Sequence, residues 1–466
     1  MPVTVKPLDR YHAVYWIILL NGFGLLMPWN MWVTIAPEYY MGYKLIEVNR
    51  NGTKYAPSYA LNFLSYLVVA SNLPNFILNL INLFFTFKGN LEKRIGSSLM
   101  VMGLICLITL AFTIIDTSNM TMMFFIITIV TVVIQNSACG IYQNSLYGLI
   151  AIFPPQYTNA ILLGSNLCGT FVSIINVITL VATNSITSAA FFYFLISLLV
   201  ILACFGSLFV LLRLDFYKYY MEEANKKMAK KKYFIENNDT NQIGLKINNC
   251  EISEYIDSLD NNNIDFLTID FRMKLRLYSR VFKKIRIQCF NVWFTFVVTL
   301  ALFPTVVADV KYYSETGEYD FFIPEKLFTP VTAYLFCNCF IFFGSFLANF
   351  IQWPKPKWLI VPVIAQVISI PLMLSCNFRP LQRTWGVLIH NTWIYIAISC
   401  TMSICCGYFS ALGLMYAPKQ VEASKSTIAG MIAAFFLIFG VACGTLLTFV
   451  IIWFIDCLGP LQPRKF

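Results

Sequence analysis

Charge is scarce in this sequence. Asp, Glu, Lys and Arg make up 12% of its 466 residues, against about 25% in soluble domains. Histidine is scarcer, with two residues, His12 and His390. The 23 acidic and 33 basic residues all fall between, beside or beyond the long apolar runs, and Asp116, Asp309 and Asp456 come nearest to them. Each shortage excludes something. An ordinary cytosolic enzyme is excluded by composition. An ionisable group within a membrane span is by default a proton relay or ion site, so its absence argues against a proton-driven pump and against a pocket for a charged substrate. With no histidine in mid-span and no metal-ligand spacing among the 14 cysteines, a metal centre or histidine-based chemistry has no residues to use. No cofactor is expected, and a multi-span enzyme is the weakest reading.

What the chain has in excess is apolar. Hydrophobic residues reach 58% and the mean hydropathy is +0.68. A span needs about 20 apolar residues, and 11 runs satisfy this: residues 12–34, 59–87, 95–115, 120–152, 159–183, 190–212, 289–308, 329–351, 358–375, 391–415 and 426–455. The expected fold is an all-α integral membrane protein of 11 transmembrane helices, resident in the lipid bilayer. The 6 + 5 division gives a six-helix bundle (1–212), a largely disordered linker (213–288) and a five-helix bundle (289–466). Met1 to Asp9 lacks the features of a cleaved signal peptide.

The net charge of +10 is a topology signal here, and nucleic acid is not an expected partner. With the N-terminus inside, inner segments hold 24 of the 33 Lys and Arg, 15 of them in the linker. Long loops count for little in the positive-inside rule, and the short loops balance at 9 to 9. The sequon Asn51-Gly52-Thr53 supports an outer first loop and marks Asn51 for glycosylation. The expectation is a cytoplasmic N-terminus, an extracellular C-terminus and the plasma membrane. In the linker, the Glu236–Asp265 tract is too polar to pack, and the basic flanks could lie on anionic lipid at about 1 kcal/mol per residue.

Neutral polar residues recur inside the spans at helical spacing. Span 2 carries Asn72, Asn75, Asn79 and Asn82; span 4 carries Gln135, Asn136, Gln143 and Asn144. Ser165, Asn166, Ser173 and Asn176 mark span 5, Asn338, Ser345 and Asn349 span 8, and Ser399, Ser403, Cys406 and Ser410 span 10. Interhelical bonding, at about 0.6 kcal/mol each, accounts for any one of them. Stripes on five helices point to a central, wettable, uncharged cavity. In span 1, Gly22, Gly24 and Pro28-Trp29-Asn30 are expected to interrupt the helix, freeing a carbonyl toward that cavity and offering Trp29 as a stacking surface.

At Pro28-Trp29-Asn30 the chain resembles the equilibrative nucleoside transporter family, and the likeness runs end to end outside the linker. It is carried by Gly22-Phe23-Gly24-Leu25-Leu26-Met27-Pro28-Trp29-Asn30, and by Asn144-Ser145-Leu146-Tyr147-Gly148-Leu149 with Phe153-Pro154 and Gly169-Thr170-Phe171. Arg213-Leu214-Asp215-Phe216-Tyr217 follows, then Phe303-Pro304, then Gly407-Tyr408-Phe409 with Ala417-Pro418-Lys419. The resemblance implies a major-facilitator-like fold and facilitated, mostly ion-independent diffusion of nucleosides or nucleobases. It places Leu26, Trp29 and Val33 at the base-binding part of the cavity, Asn72 and Asn75 opposite, and Ser165 where a span-5 glutamine is typical. Asn30, Asn144 and Asn338 complete the candidate set. The chain departs from the family in span 8. An Asp and an Arg that engage ribose are replaced by Ile341 and Ser345, removing charge-assisted bonds of roughly 1.5–3 kcal/mol each. Two further readings stay open: a non-transporting receptor or scaffold acting through the linker, and a facilitator of another neutral solute such as a sugar. The 88–94 loop lacks the Gly/Asp/Arg signature expected of the latter.

Overall fold

The computed structural model describes residues 7–48, 54–61, 63–84, 91–182, 186–224, 226, 267–314, 318–379 and 386–457. Nine of its helices are long and apolar enough to cross a membrane, and two shorter apolar helices accompany them. They fall one to one on the 11 predicted runs. We number them α1 (Ala13–Ile35), α2 (Phe63–Phe84), α3 (Leu91–Ile114), α4 (Thr121–Ile150), α5 (Pro155–Ala182) and α6 (Ile186–Leu211). The second half holds α7 (Leu267–Leu302), α8 (Glu325–Leu347), α9 (Ile360–Ser375), α10 (Thr392–Lys419) and α11 (Ser426–Cys457). A two-stranded hairpin, β1 (Glu47–Val48) against β2 (Lys54–Tyr55), lies between α1 and α2.

Three expectations change. Residues 215–224 are helical, and α7 starts at Leu267 rather than at 289, because residues 267–288 alternate basic and apolar positions around one helix. The linker is therefore helical at both described ends; the Glu236–Asp265 tract and Asn51 lie outside the described residues. Arg94, expected in a loop, sits in the first turn of α3 and is buried. Finally, α1 runs unbroken through Pro28. Neighbouring side chains donate to carbonyls of this stretch: Asn30 Nδ2 to Leu26 (3.0 Å) and the Cys139 thiol to Leu25 (3.3 Å).

The glycines of span 1 mark contact instead of a break. A Cβ at Gly22 would lie 2.2 Å from the Ile161 carbonyl oxygen, and one at Gly164 would lie 2.0 Å from that of Leu19. α1 and α5 thus touch backbone to backbone, as small residues allow in membranes. The second half repeats the device. α11 presents Gly440 and Gly444 to the α7 backbone, and α8 and α10 meet through Gly344 and Gly407. Pairing of the first helix with the fifth recurs as seventh with eleventh, and second with fourth as eighth with tenth.

The apolar core is divided unequally along the molecule. At the end bearing Tyr147, Tyr157, Phe216, Val281 and Met431, one continuous cluster runs through both halves. At the end bearing the hairpin, each half has its own: Met31, Trp32, Tyr40 and Phe194 in one, Val306, Phe328, Met373 and Tyr395 in the other. The apolar core is continuous between the halves at the linker end and divided toward the hairpin end, where Lys326 Nζ of α8 still donates to the Leu180 carbonyl of α5 at 3.2 Å.

Candidate functional site

Two antiparallel helices from different halves, α5 and α8, face each other along the seam. Asn159, Asn166 and Ser173 recur every 7 residues on α5, two turns apart, and so share a face. Each meets a partner on α8, or two residues past its end, in reverse order. Asn338 Nδ2 donates to Ser173 Oγ at 2.9 Å, Asn166 Nδ2 to Ser345 Oγ at 2.6 Å, and Asn159 Nδ2 to Asn349 Oδ1 at 2.9 Å. Asn159 also donates to the Ser345 carbonyl at 2.7 Å, and Asn349 Nδ2 donates to the Tyr15 hydroxyl of α1 at 3.2 Å. The result is a ladder of neutral rungs, with no ionised group among them. Close approach at Gly169, where a Cβ would lie 2.7 Å from Asn338 Oδ1, holds the first rung in place.

A second junction ties the halves through α2, α4 and α11. Asn144 Nδ2 donates to Asn79 Oδ1 at 3.0 Å and to the Met431 carbonyl at 3.2 Å, while Asn79 Nδ2 donates to the Gly140 carbonyl at 3.0 Å. Nearer the middle, Phe76 of α2 meets Phe435 and Phe439 of α11 at ring-centroid distances of 5.6 and 5.7 Å.

These contacts sort the candidates. Leu26, Trp29, Asn30 and Val33 form a half-buried stripe on α1. α1 packs against α5 and α6, and this stripe is a part of its surface that those contacts leave half-open. Asn72 is half-buried on α2, and Asn75 packs against Gly140 with its Oδ1 buried and unpartnered. Asn338 and Ile341 are half-buried on the seam face of α8. Three others are fully engaged in packing. Asn144 is 0% exposed, in the junction above; Ser345 is 0% exposed, in the ladder; Ser165 donates to the Gly22 carbonyl at 2.9 Å, inside the α1–α5 contact.

One expected stripe proves internal. On α10, Ser399 pairs with the Cys337 thiol at 3.0 Å, and Ser403 and Ser410 bond back to their own helix, so these hydroxyls are satisfied within one half. The α4 stripe is mixed: Asn136 donates to Val132 of its own helix, Asn144 crosses to Met431, and Gln135 is buried with both amide atoms unpartnered. Conversely, Asn159 and Tyr15 join the ladder without having been singled out. The signal for Asn159 was present, since it completes the 7-residue spacing of Asn166 and Ser173.

Outside the membrane helices, Glu47 accepts hydrogen bonds from the Tyr55, Tyr59 and Thr121 hydroxyls, the last at 2.9 Å. They hold its carboxyl below the usual carboxylate range, Tyr55 foremost, and tie the hairpin to α2 and α4. Among the described residues, no group of three His, Cys, Asp or Glu could hold a metal ion.

Comparison with known proteins gives this arrangement its context. The structure is similar to the proton:xylose symporter XylE of the major facilitator superfamily, with a TM-score of 0.61 at 9% identity, covering 95% of this chain and 88% of that one. It is also similar to the human organic anion transporter MFSD10, with a TM-score of 0.54 at 10% identity over 97% and 96%. In sequence it is 28% identical to human equilibrative nucleoside transporter 1 over 97% of this chain and 99% of that protein. Mouse equilibrative nucleoside transporter 2 is 26% identical over 95% and 98%, and rat equilibrative nucleoside transporter 3 is 26% identical over 96% and 91%. The nucleoside transporter family pattern matches residues 128–453. A multi-pass helical membrane protein of the major-facilitator fold, with neutral rungs between its halves, this chain belongs to the nucleoside transporter family.

Proposed function

We propose that the protein is a passive carrier of nucleosides, moving them down their gradient by rocking residues 1–212 against 289–466 across 11 membrane crossings. The observation that carries this reading is the seam. Its rungs are amides and hydroxyls alone, so each can break and reform without leaving an uncompensated charge in the membrane. A core continuous at the linker end and divided at the hairpin end supports rocking about the linker end. Trp29, with Leu26 and Val33, supplies a flat apolar surface for the base. Asn30, Asn72, Asn75 and Asn338 replace its hydration. The N-terminus and linker lie in the cytoplasm, the hairpin with its sequon at Asn51 outside, and the membrane is the plasma membrane.

A second reading concerns the substrate. Ile341 offers no hydrogen bond, and the Ser345 hydroxyl accepts from Asn166 at 2.6 Å. This favours a carrier of nucleobases, for which no sugar contact is needed.

Uptake of labelled adenosine, uridine and hypoxanthine at two pH values tests both. Saturable, pH-independent nucleoside uptake is expected. Hypoxanthine alone would select the second reading. No uptake by protein verified at the surface would overturn both. Deleting residues 227–266 separates a scaffold from a carrier, because a carrier retains flux without them.

A further inference from the structure

Arg94 is the fourth residue of α3 and 8% exposed, yet its Nε and Nη2 are buried without a hydrogen-bond partner. Those two nitrogens share one edge of the guanidinium plane. Their parallel N–H vectors match two oxygens of a single oxyanion. A cation is rarely buried unless paired, so this unpaired edge points to a ligand that the surrounding side chains shift to admit.

The neighbouring carboxylate does not fill it. Glu92 stands two residues away, about 200° around the helix at roughly 100° per residue. Its Oε1 accepts from the Tyr217 hydroxyl at 2.5 Å. Tyr278 of α7 belongs to the same buried cluster as Ile95, the next residue of α3.

We infer that Arg94 anchors an anion site at the linker end of the protein, and that its ligand is a phosphate group. Charge and depth favour phosphate over a monovalent carboxylate. Residues 272–286 of α7 carry seven Lys or Arg and no acidic residue, a field that favours a dianion. The first turn of a membrane helix lies at headgroup depth, and its unpaired N–H groups add partial positive charge toward the same end. Arg94 belongs to the first half and Tyr278 to the second. A phosphate held by Arg94 therefore sits at the end where the cores of the two halves are already continuous.

Two sources share this chemistry, a lipid with a phosphomonoester headgroup and free inorganic phosphate. The test is thermal unfolding of the purified full-length protein, which needs no transport assay. One arm adds inorganic phosphate against chloride at equal ionic strength. The other adds phosphatidic acid to nanodiscs of neutral lipid. At least one should raise Tm by about 2 °C or more. A response to the lipid alone identifies a headgroup site, and a response to phosphate alone a soluble ligand. Arg94→Gln should abolish the shift, and Arg94→Lys, which keeps charge but loses the fork, should retain only part of it. No shift in the unaltered protein from either source overturns the proposal, and so does an equal shift in Arg94→Gln. Where Arg94→Gln does not fold, an undiminished response in Arg94→Lys overturns the bidentate site.

Discussion

Asn166 Nδ2 donates to the Ser345 hydroxyl at 2.6 Å, joining the fifth helix of one half to the eighth helix of the other. Ser345 is buried, so its removal leaves the amide without a partner. Ser345→Ala should lower stability by about 1–3 kcal/mol. Replacing both groups by apolar ones, Asn166→Leu with Ser345→Ala, should recover much of that loss. A double-mutant cycle on thermal unfolding should give a coupling near 0.6 kcal/mol, and additivity of the two changes would contradict a direct rung.

Trp29 has no part in the ladder and stands on the half-open stripe of α1. Stacking of a base on an indole is worth about 1–3 kcal/mol. Trp29→Ala should therefore raise the apparent KM for nucleoside uptake by roughly 5- to 150-fold at unchanged surface expression. Normal uptake by a variant that reaches the surface would remove Trp29 from the substrate path.

The α1–α5 contact should be intolerant of a single carbon. Gly164→Ala would place Cβ 2.0 Å from the Leu19 carbonyl oxygen, forcing two backbones apart. A loss of about 1–3 kcal/mol is expected from the overpacking, read as lower Tm and reduced surface protein. Gly206→Ala is the control, since nothing lies within 4 Å of the added carbon. It should be neutral or slightly stabilising, because alanine favours a helix by about 1 kcal/mol.

Glu47 gives the hairpin an acid limit. Its carboxyl is held low by hydrogen bonds to its ionised form, so the stability it contributes is complete above the unfolded carboxyl pKa. That contribution is lost as pH falls through the lower, folded value. The protection factor of the amides in residues 54–61, exchange corrected for its base-catalysed intrinsic rate, should be flat between about pH 5 and 8 and should fall under more acidic conditions. Glu47→Gln should remove that acid limb and lower protection throughout.

How much of this was legible in the sequence follows from what each signal encodes. The spans were, because a bilayer demands about 20 apolar residues and nothing else in the chain looks like that. Helical spacing showed that Asn338 and Ser345 share a face of α8. It could not show what that face meets, so the α10 stripe looked the same as the α8 stripe and turned out to be internal. Pro28 was misread as a break because a proline removes a single bond, here that to the Gly24 carbonyl, which a helix packed against its neighbours loses without ending. Tyr15 was hidden by position, since a tyrosine near a helix end reads as an interfacial anchor.

The repeat of helix pairs is incomplete. In the first half, α3 packs against α6, and among the described residues no helix after α11 repeats that partnership for α9. Like α3, which is exposed at Met100, Leu104 and Leu107, α9 has an open outer side, with Val361, Ile364 and Ile368 exposed. Acyl chains take the position that a twelfth helix would occupy. In the carrier proposed above, the two bodies therefore differ by one helix: α3 has α6 beside it, and α9 has lipid in that position. Sterol content and chain length should then tune the second body directly, making membrane composition a setting on turnover.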